Sequence, residues 1–149
     1  SYEYRRKYNM ERVIIDTDPG VDDAQAILMA AAHPACKIEA LLAVAGNVAF
    51  EHTLRNALTL TEIVNQDIPV YPGCERPLLH FQEDAAFSHG NDGLGDVGFV
   101  PQRRQAETEH AVAALIRMVN ESPRELTLAA IGPLTNVALA LRLDPTPAS

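Results

Sequence analysis

The chain of 149 residues is acidic, with a net charge of −8, a pI of about 5.0 and 47% apolar residues. Its length and apolar share suit one domain with a real core. The acidic balance excludes nucleic acid as a partner, because phosphate binding needs clustered Lys and Arg; the basic run Arg5-Arg6-Lys7 belongs to a polar N-terminal arm at residues 1–11, ahead of a domain spanning 12–149.

The first element is a buried strand, read from Val13-Ile14-Ile15. A tight turn at Pro19-Gly20 follows. Asp22 and Asp23 then open an Ala- and Leu-rich helix over residues 24–32, which His33-Pro34 ends. Residues 38–44 are nearly all apolar, as in a strand covered on both faces. After a loop at Gly46-Asn47, residues 51–65 form a second helix carrying Leu54, Leu58 and Ile63. Val70-Tyr71 is a brief third strand between Pro69 and Pro72.

Residues 73–102 are irregular and rich in Gly and Pro, and a loop of that length inside a compact domain is usually functional. A helix returns with Val112, Leu115, Ile116 and Val119 at i, i+3, i+4, i+7. Residues 125–131 form a fourth strand. Gly132-Pro133 opens the last helix, with proline at its first position and a buried stripe of Leu134, Val137, Ala138 and Leu141; Asp144-Pro145 closes it. The alternation predicts an α/β fold: a Rossmann-like, open, mainly parallel sheet with helices on both faces.

The chemistry concentrates at one place. Asp16, Asp18, Asp22 and Asp23 fall within eight residues, between the end of the first strand and the start of the first helix. A single Asp there is ordinarily a helix cap, but one helix start does not need four acids. Like charges this close destabilise one another unless something positive sits among them. A hard cation held by oxygen ligands resolves the repulsion, and the carboxyl ends of strands are where open α/β sheets bind ligands. Asn47 after Gly46 reads by itself as a turn residue, His89 as a surface histidine, and Thr135 and Asn136 as first-turn helix residues. The other histidines have no partner motif. Cys36 and Cys74 lack metal-ligand spacing and favour a reduced, cytoplasmic setting. The N-terminus lacks the apolar region of a signal peptide, and the longest apolar stretch, residues 26–32, is too short to span a membrane.

The octet Asp16-Thr17-Asp18-Pro19-Gly20-Val21-Asp22-Asp23 resembles the signature of the inosine–uridine-preferring nucleoside hydrolases. Three further blocks agree in the same order: Val44-Ala45-Gly46-Asn47, His89-Gly90-Asn91-Asp92-Gly93-Leu94-Gly95, and Ile131-Gly132-Pro133-Leu134-Thr135-Asn136. The resemblance implies hydrolysis of the N-glycosidic bond of a ribonucleoside to ribose and free base, with one bound Ca²⁺. By position, Asp18, Asp23 and the main-chain carbonyl of Ile131 would ligate the ion, with Asp16 supporting them from behind. Asp18 would also take a proton from a calcium-bound water. Asp22 and Asn47 would hold the ribose hydroxyls, and His89 would lie near the base or the loop that admits it.

Residue chemistry agrees with these roles. Cleavage builds positive charge on the sugar, which nearby carboxylates stabilise. A divalent cation lowers the pKa of bound water, so an Asp can generate the nucleophile near neutral pH. Members of the family are longer, and their later segments supply another Asp to the calcium and a His to the departing base. The chain therefore reads as the amino-terminal half of such a domain, expected to self-associate and to turn over little alone. A different reading is a non-catalytic binding or assembly module. Another is a haloacid-dehalogenase-like phosphatase with Asp16-x-Asp18 as nucleophile motif, although Pro19-Gly20 and Asp22-Asp23 do not suit that scheme.

Overall fold

Val13, Ile14 and Ile15 lie in the interior of a four-stranded sheet, each nine-tenths or more buried. The computed structural model describes residues 9–46, 48–79 and 90–145. Within them the order is β1 (Glu11–Thr17), α1 (Val21–Ala32), β2 (Cys36–Ala43), α2 (Phe50–Ile63), β3 (Val70–Pro72), α3 (Ala111–Glu121), β4 (Thr127–Ala130) and α4 (Thr135–Leu143). The strands are parallel in the order β3-β2-β1-β4, the expected α/β architecture.

Alternation along β1 divides the core in two. Val13 and Ile15 join Ile27, Ile38, Leu41, Ala57 and Leu58 on the face covered by α1 and α2. Ile14 joins Ala40, Leu42, Val112, Leu115 and Ala140 on the face covered by α3 and α4. A register shift after Val13 skips Glu39, so Ile38 and Leu41 share a face although three residues apart. Glu39 uses its displaced position to accept from Arg12 Nε at 2.7 Å.

The carboxyl-terminal part departs from the sequence reading in two ways. α4 begins at Thr135, with Leu134 as its N-cap, so Pro133 precedes the helix. The cause is tertiary: the amides of Ile131 and Gly132 both donate to the main-chain oxygen of Asp16, at 2.9 and 3.1 Å, and hold this segment as a loop. The first helical bond runs from Ala138 N to Leu134 O at 2.8 Å. The predicted buried stripe is also displaced. Leu134 and Leu141 are 59% and 60% exposed, while Asn136 and Ala140 are buried.

β4 is likewise exposed, with Leu128 and Ala130 open to solvent rather than covered on both faces. It is the edge of the sheet among the described residues, and nothing described packs over the outer side of α4. An apolar cavity of about 320 Å³ lies beside them, lined by Leu115, Ile116, Val119, Leu128, Val137 and Leu141 among others. At the other end of α2, Ile63 is half exposed. No helix among the described residues is long and apolar enough to cross a membrane. Cys36 and Cys74 are both unpaired.

Candidate active site

The strand order sets the site. The chain moves outward from β1 to β2 and β3, then returns to place β4 on the other side of β1. The crevice at the carboxyl ends of β1 and β4 is therefore the topological switch point, where open α/β sheets bind ligands. Three of the four clustered acids are buried there: Asp16 is 0% exposed and Asp18 and Asp23 5% each. Asp22, in the first turn of α1, is exposed at the mouth.

Asp16 is the hub. Its main-chain oxygen takes the two amides from residues 131 and 132, and its carboxylate Oδ2 accepts from Asn136 Nδ2 at 3.0 Å. Its Oδ1 is buried with no hydrogen-bond partner among the described residues. Burial pushes the carboxyl up to about 6, against the opposing pull of the Asn136 bond.

Asp23 is not spent on capping its own helix, whose N-cap is Gly20 without a side-chain bond. It reaches back across the turn instead. Its Oδ2 accepts from Thr17 Oγ1 at 2.8 Å and from the amide of Asp18 at 3.1 Å. Burial raises its pKa and neighbouring Asp22 adds to that, while hydrogen bonds with Thr17 and Asp18 oppose it.

Asp18 lies one residue past β1, between two glycines. A Cβ at Gly46 would come within 2.0 Å of its Oδ2, and one at Gly132 within 2.9 Å of its amide and 3.0 Å of its Oδ1. Both glycines are required for Asp18 to sit where it does. Ile131 follows the last residue of β4 and is 42% exposed, so its carbonyl lies beyond the sheet ladder.

Asn56 of α2 joins the acidic turn to the long loop. Its Nδ2 donates to Pro19 O at 3.1 Å and to Asp92 O at 2.7 Å. Asp92 in turn accepts from the amides of Leu94, Asp96 and Gly98. Burial works to raise the Asp92 pKa, but these amides outweigh it and the net shift is downward. The structure thus brings together Asp16, Asp18, Asp22, Asp23 and Ile131. Asn47 and His89 lie outside the described residues.

Two residues of this constellation, Asn136 and Asn56, are not evident in the sequence. Asn136 looks like an ordinary first-turn residue, yet it is fully buried and contacts Asp16. The available signal is its spacing of four from Ala140, which puts both on one helix face.

Among the described residues no group of three or more His, Cys, Asp or Glu forms a metal cage. The donors present are nevertheless of one chemical kind. They are the carboxylates of Asp16, Asp18 and Asp23, all buried, with Asp16 Oδ1 lacking a hydrogen-bond partner among the described residues. An oxygen-only set fits a hard cation such as Ca²⁺ rather than a thiolate- or imidazole-seeking metal.

A parallel α/β sheet with carboxylates buried at its switch point defines a ligand-binding α/β protein. The chain belongs to the inosine-uridine preferring nucleoside hydrolase family, whose model matches residues 13–149. It is 45% identical over 129 residues to the non-specific ribonucleoside hydrolase RihC of Salmonella typhi, covering 87% of this chain and 42% of that protein. It is 42% identical over 134 residues to the pyrimidine-specific ribonucleoside hydrolase RihB of Escherichia coli O157:H7, covering 90% and 43%. Among solved structures, the plant nucleoside hydrolase PpNRh1 superposes with a TM-score of 0.87 at 43% identity, over 92% of this chain and 44% of that one. The chain thus spans less than half the length of the relatives it matches.

Proposed function

We propose that this site serves the hydrolysis of the N-glycosidic bond of ribonucleosides, releasing ribose and a free base, with Ca²⁺ as its resident cation. The observation that carries the reading is the pair of buried carboxylates, Asp18 and Asp23, at the switch point of the sheet, with Asp22 exposed at the mouth. Asp18, Asp23 and the main-chain carbonyl of Ile131 are the residues that would hold the cation. When bound, Ca²⁺ offsets the clustered negative charge and lowers the pKa of a coordinated water.

The chain's own groups do the rest. The Asp18 carboxylate accepts the proton of the attacking water. Asp22 and Asn47 bind the ribose hydroxyls, for which short fixed acceptors and donors are suited. The acids around the sugar stabilise the positive charge that develops there as the bond breaks. By the family resemblance His89 is assigned to the base or the loop that admits it. The relatives' names agree on a ribonucleoside and differ on the base, which supports a shared ribose site and no particular base preference.

The test is chromatography of inosine and uridine incubated with the intact protein and Ca²⁺. Equimolar ribose and free base, lost on chelation and restored by added Ca²⁺, are expected. Intact nucleosides together with phosphate release from a phosphorylated sugar would overturn the reading in favour of a phosphatase.

A further inference from the structure

Asn136 uses both ends of its amide. Nδ2 donates to Asp16 Oδ2 at 3.0 Å and to Ala43 O at 3.1 Å, and Oδ1 accepts from the amide of Cys74 at 2.8 Å. The orientation is determined by these partners: a flipped amide would set Oδ1 against two acceptors and Nδ2 against a donor. One side chain thereby joins the ends of β1 and β2, the loop after β3 and the first turn of α4. Gly73 makes the junction possible, because a Cβ there would lie 2.4 and 2.5 Å from the amide atoms of Asn136 and 2.2 Å from Ala43 O.

The segment from Ile131 to Asn136 is consequently pinned to Asp16 at both ends. At one end the amides of Ile131 and Gly132 meet the Asp16 main-chain oxygen; at the other, Asn136 meets its carboxylate. Between the pins, Gly132 packs directly on Asp18, and Ile131 carries the carbonyl assigned above to the cation. Movement of Asp16 would shift the Ile131 carbonyl and Asp18 together.

We infer that Asn136 is a positioning residue: by clamping Asp16 it holds the 131–135 loop against Asp18 and so sets the distance between the Ile131 carbonyl and the carboxylates of the cation site. Its last step rests on the calcium reading; the clamp itself does not.

The experiment compares wild type, Asn136→Ala and the exchanged pair Asp16→Asn/Asn136→Asp in the intact protein. Amide hydrogen exchange is followed without metal, and Ca²⁺ affinity by calorimetry. In Asn136→Ala, exchange at Ile131 and Gly132 should quicken on the order of tenfold or more, the scale of one lost hydrogen bond to a charged group. Exchange at Glu11, whose amide bonds to Ala35 O at the opposite end of the strands, should not change. Ca²⁺ affinity should fall by a similar factor. The exchanged pair keeps an amide facing a carboxylate and an acceptor for Cys74 N but leaves Ala43 O without its donor, so it should recover part of the protection relative to Asp16→Asn alone.

Unchanged exchange at Ile131 and Gly132 in a folded Asn136→Ala would overturn the inference. If that variant does not fold, the exchanged pair decides: protection at Ile131 and Gly132 no better than in Asp16→Asn alone overturns it. A wild type that binds no Ca²⁺ while exchange still follows the clamp would uphold the positioning role and remove the calcium reading.

Discussion

The hydroxyl of Thr17 donates to Asp23 Oδ2 across 2.8 Å, and both residues are buried. Thr17 is the last residue of β1 and Asp23 lies in the first turn of α1, so the bond closes the Pro19-Gly20 turn from inside. It also explains why a buried acid is tolerated where no basic side chain among the described residues acts on it: hydrogen bonds to a carboxylate offset part of its lost solvation.

Thr17→Val keeps the shape of the side chain and deletes the donor. Asp23 then loses its hydrogen bond from Thr17 while remaining buried. A stability loss of about 1.5–3 kcal/mol is expected, the range for a hydrogen bond to a charged group. Denaturant unfolding of the two proteins measures it, and an unshifted midpoint contradicts the role given to Thr17.

Asp23 and Asp22 should separate by function despite being adjacent. Asp23→Asn removes a charged ligand and should abolish Ca²⁺ binding while leaving the fold formed, since affinity at a hard-cation site follows ligand charge. Asp22→Asn should retain Ca²⁺ and weaken ribonucleoside binding, seen as a raised KM. Calorimetry with Ca²⁺ and steady-state kinetics on each variant check the division. Equal Ca²⁺ affinity in Asp23→Asn and wild type would dismiss Asp23 as a ligand.

The long loop is anchored by Glu62 of α2, whose Oε2 accepts from Gln102 N at 2.9 Å and whose Oε1 accepts from Arg103 N and Arg104 N at 2.5 and 2.7 Å. These amides hold its pKa below the ordinary 4.5. A depressed folded pKa means that the bonds contribute fully above the unfolded value and are lost as pH falls through the folded one. The stability gap between wild type and Glu62→Gln should therefore be constant while the pH stays well above the unfolded carboxylate value of about 4.3 and should shrink as the pH falls below it. A gap that widens on acidification would reverse the sign and refute the assignment.

The alternation of elements is legible in the sequence because buried parallel strands need continuous apolar runs, as at Ile14-Ile15 and Leu41-Leu42. The acid cluster is legible because four carboxylates in eight residues exceed anything capping requires. Asn136 is not, because its importance comes from contacts with Asp16, Ala43 and Cys74, up to 120 positions away. The start of α4 is hidden for the same reason: the Asp16 carbonyl, not local propensity, keeps residues 131 and 132 out of the helix. Periodicity marks Leu134 and Leu141 as a buried stripe, which the structure does not show, because a local pattern carries no information on which elements are present to cover it.

Those exposed leucines carry their own consequence. Leu134, Leu141 and Leu143 are 59%, 60% and 65% exposed, beside an edge strand whose own Leu128 is open. Contiguous apolar surface and an unpaired edge both promote association. The 149-residue chain studied by itself should sediment as more than a monomer, and Leu134→Glu with Leu141→Glu should shift it toward one. A purely monomeric wild-type chain at tens of micromolar, a concentration range in which exposed apolar surface promotes association, would count against this face as a sticking surface.

The central claim is that Asp18 serves the water that attacks the glycosidic bond. Asn at this position keeps the shape and one oxygen ligand but cannot accept a proton. Base release from inosine by the intact protein, measured with saturating Ca²⁺, should fall on the order of 10²–10⁴-fold in Asp18→Asn, the scale of lost general-base catalysis, with the fold and some Ca²⁺ retained. Base release at the wild-type rate by a folded Asp18→Asn protein would contradict the account.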